Sequence, residues 1–323
     1  MTSTRPPISF RGLSAIVVAA ACLAANPNVA SAQQYSEVVV FGDSLSDSGN
    51  AFALRGAAST PPDYGLDPFL VPAAPYARGG HHFQDGASWV EQLARSLRVS
   101  ASARPAYQSS GSAARNFAVG GARAREDGIN VNLPTQVAAY LEQSGGTASP
   151  DALYVIAIGS NDVRDALVAF SRGQNGGIIL GAALTSIAQS MTALAAAGAR
   201  TFLVWNAPDI GLTPALRMAG PAAAQAGTAL SGAFNGQLLF ILGQLGAGLP
   251  PGAIVPFDAF ALLTDIVANP GAYGMSNVTS PCVTPNVPPF ACQQPDDFLF
   301  WDGIHPTRAT HAIIAQQVMG LLR

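Results

Sequence analysis

Ser44 stands directly after the apolar run Val38-Val39-Val40-Phe41, inside Gly42-Asp43-Ser44-Leu45-Ser46-Asp47-Ser48-Gly49-Asn50. Near the other end, Asp302 and His305 lie three positions apart in Trp301-Asp302-Gly303-Ile304-His305-Pro306. A serine nucleophile, a histidine base and a carboxylate are the parts of acyl-transfer chemistry. One short turn can set the Asp302 carboxylate beside the His305 imidazole. There it would fix the tautomer and stabilise an imidazolium. Each residue alone has an ordinary reading. Gly-Asp-Ser occurs in plain turns, lone histidines are mostly structural, and Asp302 could cap a final helix. The three together carry the argument.

Two more polar turns lie between these ends. Asn116-Phe117-Ala118-Val119-Gly120-Gly121-Ala122 follows a buried segment, and Ile158-Gly159-Ser160-Asn161-Asp162 follows an apolar one. Both read as strand ends, where ligands meet open parallel sheets. A glycine lets its N–H approach a substrate oxygen closely, and Asn161 carries a side-chain amide donor. With the N–H of Ser44 they could form a three-donor oxyanion hole.

The elements that would hold these groups alternate. Residues 37–41, 153–158, 201–205 and 253–257 are short apolar runs between turn residues, as in a parallel sheet covered on both faces. Helical patterns cover 88–97, 134–144, 178–197, 221–245 and 306–322, the last starting at Pro306. This alternation predicts an α/β sandwich. Residues 59–86 and 271–297 do not fit it. Their length and their Pro and Gly content make them candidate walls of a substrate pocket.

Hydrophobic residues form 49% of the 323 and charged residues 11%, which favours a large core over a disordered chain. Net charge is −3, every basic side chain is arginine, and no basic run occurs, so nucleic acid is excluded as a partner. Arg5 and Arg11, an apolar stretch from Leu13 to Ala25, and Ala30-Ser31-Ala32 read as a secretory signal peptide over 1–32. Cleavage after Ala32 would deliver the chain to the periplasm or the medium. An N-terminal membrane anchor and lipoprotein processing at Cys22 are the alternatives. Cys282 and Cys292 then remain, and an oxidising compartment predicts their disulfide, which would pin the loop before Asp302; two free thiols are the alternative.

The four motifs, in this order, resemble the SGNH subgroup of the GDSL esterase/lipase family. Residues 41–50 match its nucleophile block, 116–122 its glycine block, 159–162 its asparagine block and 301–307 its acid–base block. Residues 83–86 with 89–93, and 206–211, also resemble its longer secreted members. The resemblance implies a flavodoxin-like three-layer α/β/α sandwich with a mostly parallel sheet, as one hydrolase domain over 33–323. It implies Ser44 as nucleophile, His305 as base and Asp302 as its partner. Ser44 N–H, Asn161 and a glycine N–H would hold the oxyanion, with Gly121 favoured over Gly120. It implies no metal and no cofactor. Where many relatives carry Gly-Arg-Phe-Ser-Asn-Gly, this chain has Gly80-His81-His82-Phe83-Gln84-Asp85-Gly86. His81 and His82 invite a metal reading but, with no further histidine or carboxylate cluster, read as an exposed loop pair, and His311 as structural.

The function so implied is hydrolysis of lipid-like esters: acylglycerols, phospholipids, lysophospholipids and fatty esters, with transient contact to a lipid surface. An acyltransferase to an alcohol or sterol uses the same triad. A carbohydrate deacetylase would favour short acyl groups. A non-catalytic secreted binding module would lack one of Ser44, Asn161, Asp302 and His305, and all are present.

Overall fold

The computed structural model describes residues 1–2, 35–60, 69–108, 113–285 and 287–323. The chain divides into Met1–Ser31 and Ala32–Arg323, and every element below belongs to the second unit. The expected leader, from residue 3 onward, lies outside the described residues. So do Cys22, the expected cleavage position and residues 61–68.

Four parallel strands form the central sheet: β1 (Val38–Gly42), β2 (Leu153–Ala157), β3 (Thr201–Trp205) and β4 (Ile254–Phe257), in that spatial order. Val40 pairs with Val155, Val155 with Leu203, and Leu203 with Val255. Every residue of β1 and β2 is buried. The pleat sends alternate side chains to opposite faces. Val39, Phe41, Tyr154, Ile156, Phe202 and Val204 join one core cluster, and Val38, Val40, Leu153, Val155, Leu203 and Trp205 the other. Each such side chain contributes roughly 1.5–3 kcal/mol on burial. That double demand is why these strands read as continuous apolar runs.

Eleven further elements flank or extend this sheet in chain order. Between β1 and β2 come α1 (Asn50–Arg55), α2 (Trp89–Ser96) and α3 (Leu133–Gln143). Between β2 and β3 come α4 (Ser160–Ser171) and α5 (Gly176–Ala197), and between β3 and β4 α6 (Pro214–Met218) and α7 (Pro221–Gly246). After β4 follow α8 (Ala259–Ala268), β5 (Asn277–Pro281), β6 (Phe298–Phe300) and α9 (Arg308–Leu321). Side chains of α3, α4, α5 and α7 cover one face of the sheet, and those of α2 and α9 the other. The result is a three-layer α/β/α sandwich. By length and composition α5 could cross a membrane, yet Leu180, Leu184, Ile187, Met191 and Leu194 pack into the core.

Beyond β1 the sheet continues as an irregular edge. Val40 N–H donates to Arg115 O at 2.9 Å, Phe117 N–H to Val40 O at 2.8 Å, and Val119 N–H to Gly42 O at 3.1 Å. With residues 115–119 counted second in chain order, the spatial order is 2-1-3-4-5, the flavodoxin-like arrangement. Its switch point lies at the C-terminal ends of β1 and β2, where ligands of such sheets bind.

Two expectations need correction. The last helix does not start at Pro306. Pro306 bridges antiparallel to Phe300, and the Thr307 side chain accepts from Thr310 N–H as the cap of α9. The stretch 271–297 is not wholly loop, because it carries β5, which pairs in parallel with β6.

Candidate active site

Ser44 follows β1 and Asn161 opens α4 just after β2, so both sit at the switch point. Asp302 and His305 follow β6, in the turn before α9. Trp301 N–H donates to His305 O at 2.7 Å and closes that turn. Asp302 Oδ1 accepts from Ile304 N–H at 3.0 Å and His305 N–H at 2.8 Å. The aspartate is spent on its own turn, and Thr307 caps the helix.

The structure brings Ser44, His305 and Asp302 into one line. Ser44 Oγ lies 2.8 Å from His305 Nε2. His305 Nδ1–H donates to Asp302 Oδ2 at 2.9 Å. All three are buried, with Asp302 wholly inaccessible. A carboxylate acceptor at Nδ1 leaves Nε2 unprotonated, so Ser44 O–H donates to it. This arrangement can raise the nucleophilicity of the serine and hold the resulting imidazolium. Phe83 packs beside the imidazole, ring centroids 5.4 Å apart. A Cβ on Gly120 would lie 2.1 Å from the Phe83 ring, so only glycine fits there.

The glycine block is held by buried polar groups that the sequence reading did not single out. Asp47, fully buried, accepts from the N–H groups of Gly49, Asn50, Ala51 and Gly120. Asn50 Nδ2 donates to the carbonyls of Asn116 and Ala118, both at 2.8 Å. Asn116 Nδ2 donates in turn to Ser46 O and Ser48 Oγ. The nucleophile block and the glycine block are thus one hydrogen-bonded unit. The available signal was the repeat of small polar residues after Ser44, which exceeds the needs of a simple turn.

Gly120 N–H is committed to Asp47 at 2.8 Å. Gly121 has φ of +85°, a conformation suited to glycine, and among the described residues its N–H has no such partner. Asn161 Nδ2 donates to Ala122 O at 2.9 Å, which fixes the amide. Asp162, the next residue, accepts from Ala124 N–H at 2.7 Å and from Arg125 at 2.8 Å. These bonds tie α4 to the segment after the glycine block.

A cleft opens over this site, lined by Ser44, Asn161 and His305 with Leu45, Phe69, Pro208, Ile210, Leu216 and Ile304. Its lining also includes Asp43, Ser160, Arg164 and Thr213. Burial pushes the Asp43 carboxyl up to about 6, against the pull of the Leu45 N–H bond and of His305 and Arg164.

The histidines outside the turn need one correction. His82 is not an exposed loop residue. It is buried, with Nδ1 2.6 Å from Gly79 O and Nε2 2.8 Å from Glu91 Oε2. Burial opposes its protonation, but the bond to Glu91 and that charge raise its pKa overall. Glu91 also accepts from Ser88 N–H in the capping box of α2, so the inward turn of the loop finds a ready anion. His81 stacks on Phe52, ring centroids 3.6 Å apart. His311 is fully buried and its Nδ1 accepts from Trp89 N–H at 3.1 Å, joining α9 to α2. Among the described residues no three His, Cys, Asp or Glu side chains gather as a metal site. Cys282 and Cys292 are bonded, with Cα atoms 5.4 Å apart.

The profile of the family described as GDSL-like Lipase/Acylhydrolase matches residues 38–318. Esterase EstA of Pseudomonas aeruginosa is 31% identical, over 94% of this chain and 50% of its own length. A GDSL esterase/lipase of Arabidopsis thaliana is 27% identical, over 88% of this chain and 85% of its own. A thermolabile hemolysin of Vibrio parahaemolyticus is 26% identical, over 88% of this chain and 63% of its own. The chain therefore spans about half the length of its Pseudomonas relative.

Proposed function

The chain belongs to the GDSL-like lipase/acylhydrolase family, and from that premise we propose that it is a serine carboxylic-ester hydrolase acting on lipid-like esters. The observation that carries this reading is the Ser44–His305–Asp302 line, with 2.8 Å and 2.9 Å between successive polar atoms. Ser44 Oγ attacks the ester carbonyl carbon while His305 Nε2 takes its proton. Asp302 holds the imidazolium. The carbonyl oxygen, now negative, rests on Ser44 N–H, Gly121 N–H and the Asn161 amide. His305 then protonates the leaving alcohol. Water, deprotonated by the same nitrogen, releases the acid from Ser44.

The commitment of Gly120 N–H to Asp47 supports Gly121 as the glycine donor. The apolar side chains of Leu45, Phe69, Pro208, Ile210, Leu216 and Ile304 beside the polar groups of the cleft support a lipid-like ester as occupant. We assign residues 1–32 as a leader that directs the chain to the periplasm or the medium, and 33–323 as the hydrolase domain. The boundary of the compact unit at Ala32 supports that division. The test is hydrolysis of p-nitrophenyl esters from acetyl to palmitoyl by the mature protein and by Ser44→Ala. Turnover that disappears in the variant is the expected result. Equal turnover in both would remove Ser44 from the mechanism.

A further inference from the structure

A second pocket shares part of its lining with the cleft over Ser44. Leu45, Pro208, Thr213 and Ile304 line both. Two of these partition residues are chain neighbours of the reacting groups, since Leu45 follows Ser44 and Ile304 precedes His305. Both are only half-buried. Beyond them the walls are Trp205, Phe257, Leu263, Ile266 and Ile314.

We propose that this chamber receives the distal part of the acyl chain of the ester bound at Ser44, and so sets acyl-length preference. The proposal rests on the reading of Ser44 as the acyl-accepting nucleophile. The chamber's chemistry suits an alkyl chain. Its two hydroxyls are already used: Thr213 Oγ1 donates to Ile210 O at 2.6 Å, and Thr310 Oγ1 to Leu299 O at 2.8 Å. The remaining polar group of the lining is the indole Nε1–H of Trp205, buried and without a hydrogen-bond partner among the described residues; the rest of the wall is apolar. A mostly apolar lining of this kind favours an apolar guest. The cleft over Ser44 differs in its lining, which includes Ser160, Asn161 and Arg164. A polar alcohol portion matches that end, which leaves the chamber to the acyl chain.

The experiment compares kcat/KM across two ester series for the wild-type protein and Leu263→Trp. One series varies the acyl chain from acetyl to palmitoyl on p-nitrophenol. The other varies the alcohol from ethanol to octanol on acetate. In the wild type, kcat/KM rises about fourfold per methylene along the first carbons of the acyl series. In Leu263→Trp the octanoyl-to-acetyl ratio falls at least tenfold, and the octyl-to-ethyl alcohol ratio does not. An unchanged acyl ratio overturns the proposal, as does a fall confined to the alcohol series. Should the indole prevent folding, Ala259→Leu fills the same chamber more gently and is read by the same ratios. If the wild type hydrolyses no ester, the esterase reading fails by itself. Calorimetric titration with decanoate then decides the chamber. Binding weakened at least tenfold by Leu263→Trp upholds it, and binding that is absent or equal in both proteins overturns it.

Discussion

Tyr76 Oη donates to Asp302 Oδ2 at 3.0 Å, on the same oxygen that accepts from His305 Nδ1. Both residues are buried. Tyr76 packs edge-on to Trp301, ring centroids 5.8 Å apart, and shares a cluster with Val283 and Cys292. It is a positioning residue, acting on the base through the carboxylate. Hydrogen bonds to charged groups are worth about 1.5–3 kcal/mol.

Tyr76→Phe removes that bond and little volume. The expected outcome is a fall of about tenfold in kcat with KM nearly unchanged, since the Asp302 carboxylate loses a donor that holds it in place against the imidazole. Steady-state kinetics on one p-nitrophenyl ester across pH checks it. A merely structural tyrosine would lower the melting temperature and leave kcat per folded molecule unchanged.

Asn161 has one amide hydrogen fixed on Ala122 O, and the amide carries a second. If that second hydrogen meets the oxyanion, Asn161→Ala lowers kcat by ~10²–10³ with little change in KM, the effect of losing one such donor. Gly121→Ala behaves differently. A side chain at φ of +85° is strained, so this variant loses both stability and rate. Rates normalised to folded protein, with melting curves beside them, separate the two. A near-normal kcat in Asn161→Ala would remove it from the oxyanion hole.

The sheet was legible because burial on both faces forces continuous apolar runs. Residues 201–205 form β3 as expected from the sequence, and the other three strands start or stop within about one residue of their runs. The edge at 115–119 was not legible as a strand. Its order comes from Asn50 and Asn116 side chains as much as from the ladder. Four helices were missed: the short α1 and α6, and α4 and α8 for local reasons. α4 opens with Ser160-Asn161-Asp162, whose polar side chains serve the cleft and read as a turn. α8 follows β4 after a single residue, Asp258, which caps it by accepting from Ala261 N–H. In the site, Ser44, Asp302 and His305 announced themselves by type and order. Tyr76 did not, because 226 positions separate it from Asp302 and only the tertiary fold joins them.

Cys282 and Cys292 close a loop whose backbone runs beside the turn of the base. Cys282 N–H donates to Phe300 O at 2.9 Å and Val283 N–H to Trp301 O at 2.8 Å. Replacing both cysteines by alanine removes the cross-link and should destabilise by about 2–3 kcal/mol. The matching fall in melting temperature is about 4–10 °C. Dithiothreitol should produce the same fall in the wild type and none in the variant. A reductant-insensitive melting curve in the wild type would show that the bridge does not contribute to stability.

Asp43 gives stability a pH dependence of unusual sign for a carboxylate. Burial raises its pKa from the ordinary 3.8 to about 6. Between roughly pH 4 and 6 the folded chain keeps a proton that the unfolded chain has released, so stability falls as pH rises through that window. Above it the full penalty applies, of order 2–3 kcal/mol. The charges around Asp43 do not cancel this, since Asp162 opposes the help of His305 and Arg164. Asp43→Asn keeps an oxygen to accept from Leu45 N–H, a bond of 3.1 Å, and carries no charge at any pH. It should therefore melt higher than the wild type at pH 8, and the difference should shrink to nothing by pH 4. Paired melting curves from pH 4 to 8 measure it. A difference that stays constant with pH would mean that Asp43 titrates no differently in the folded and unfolded chain.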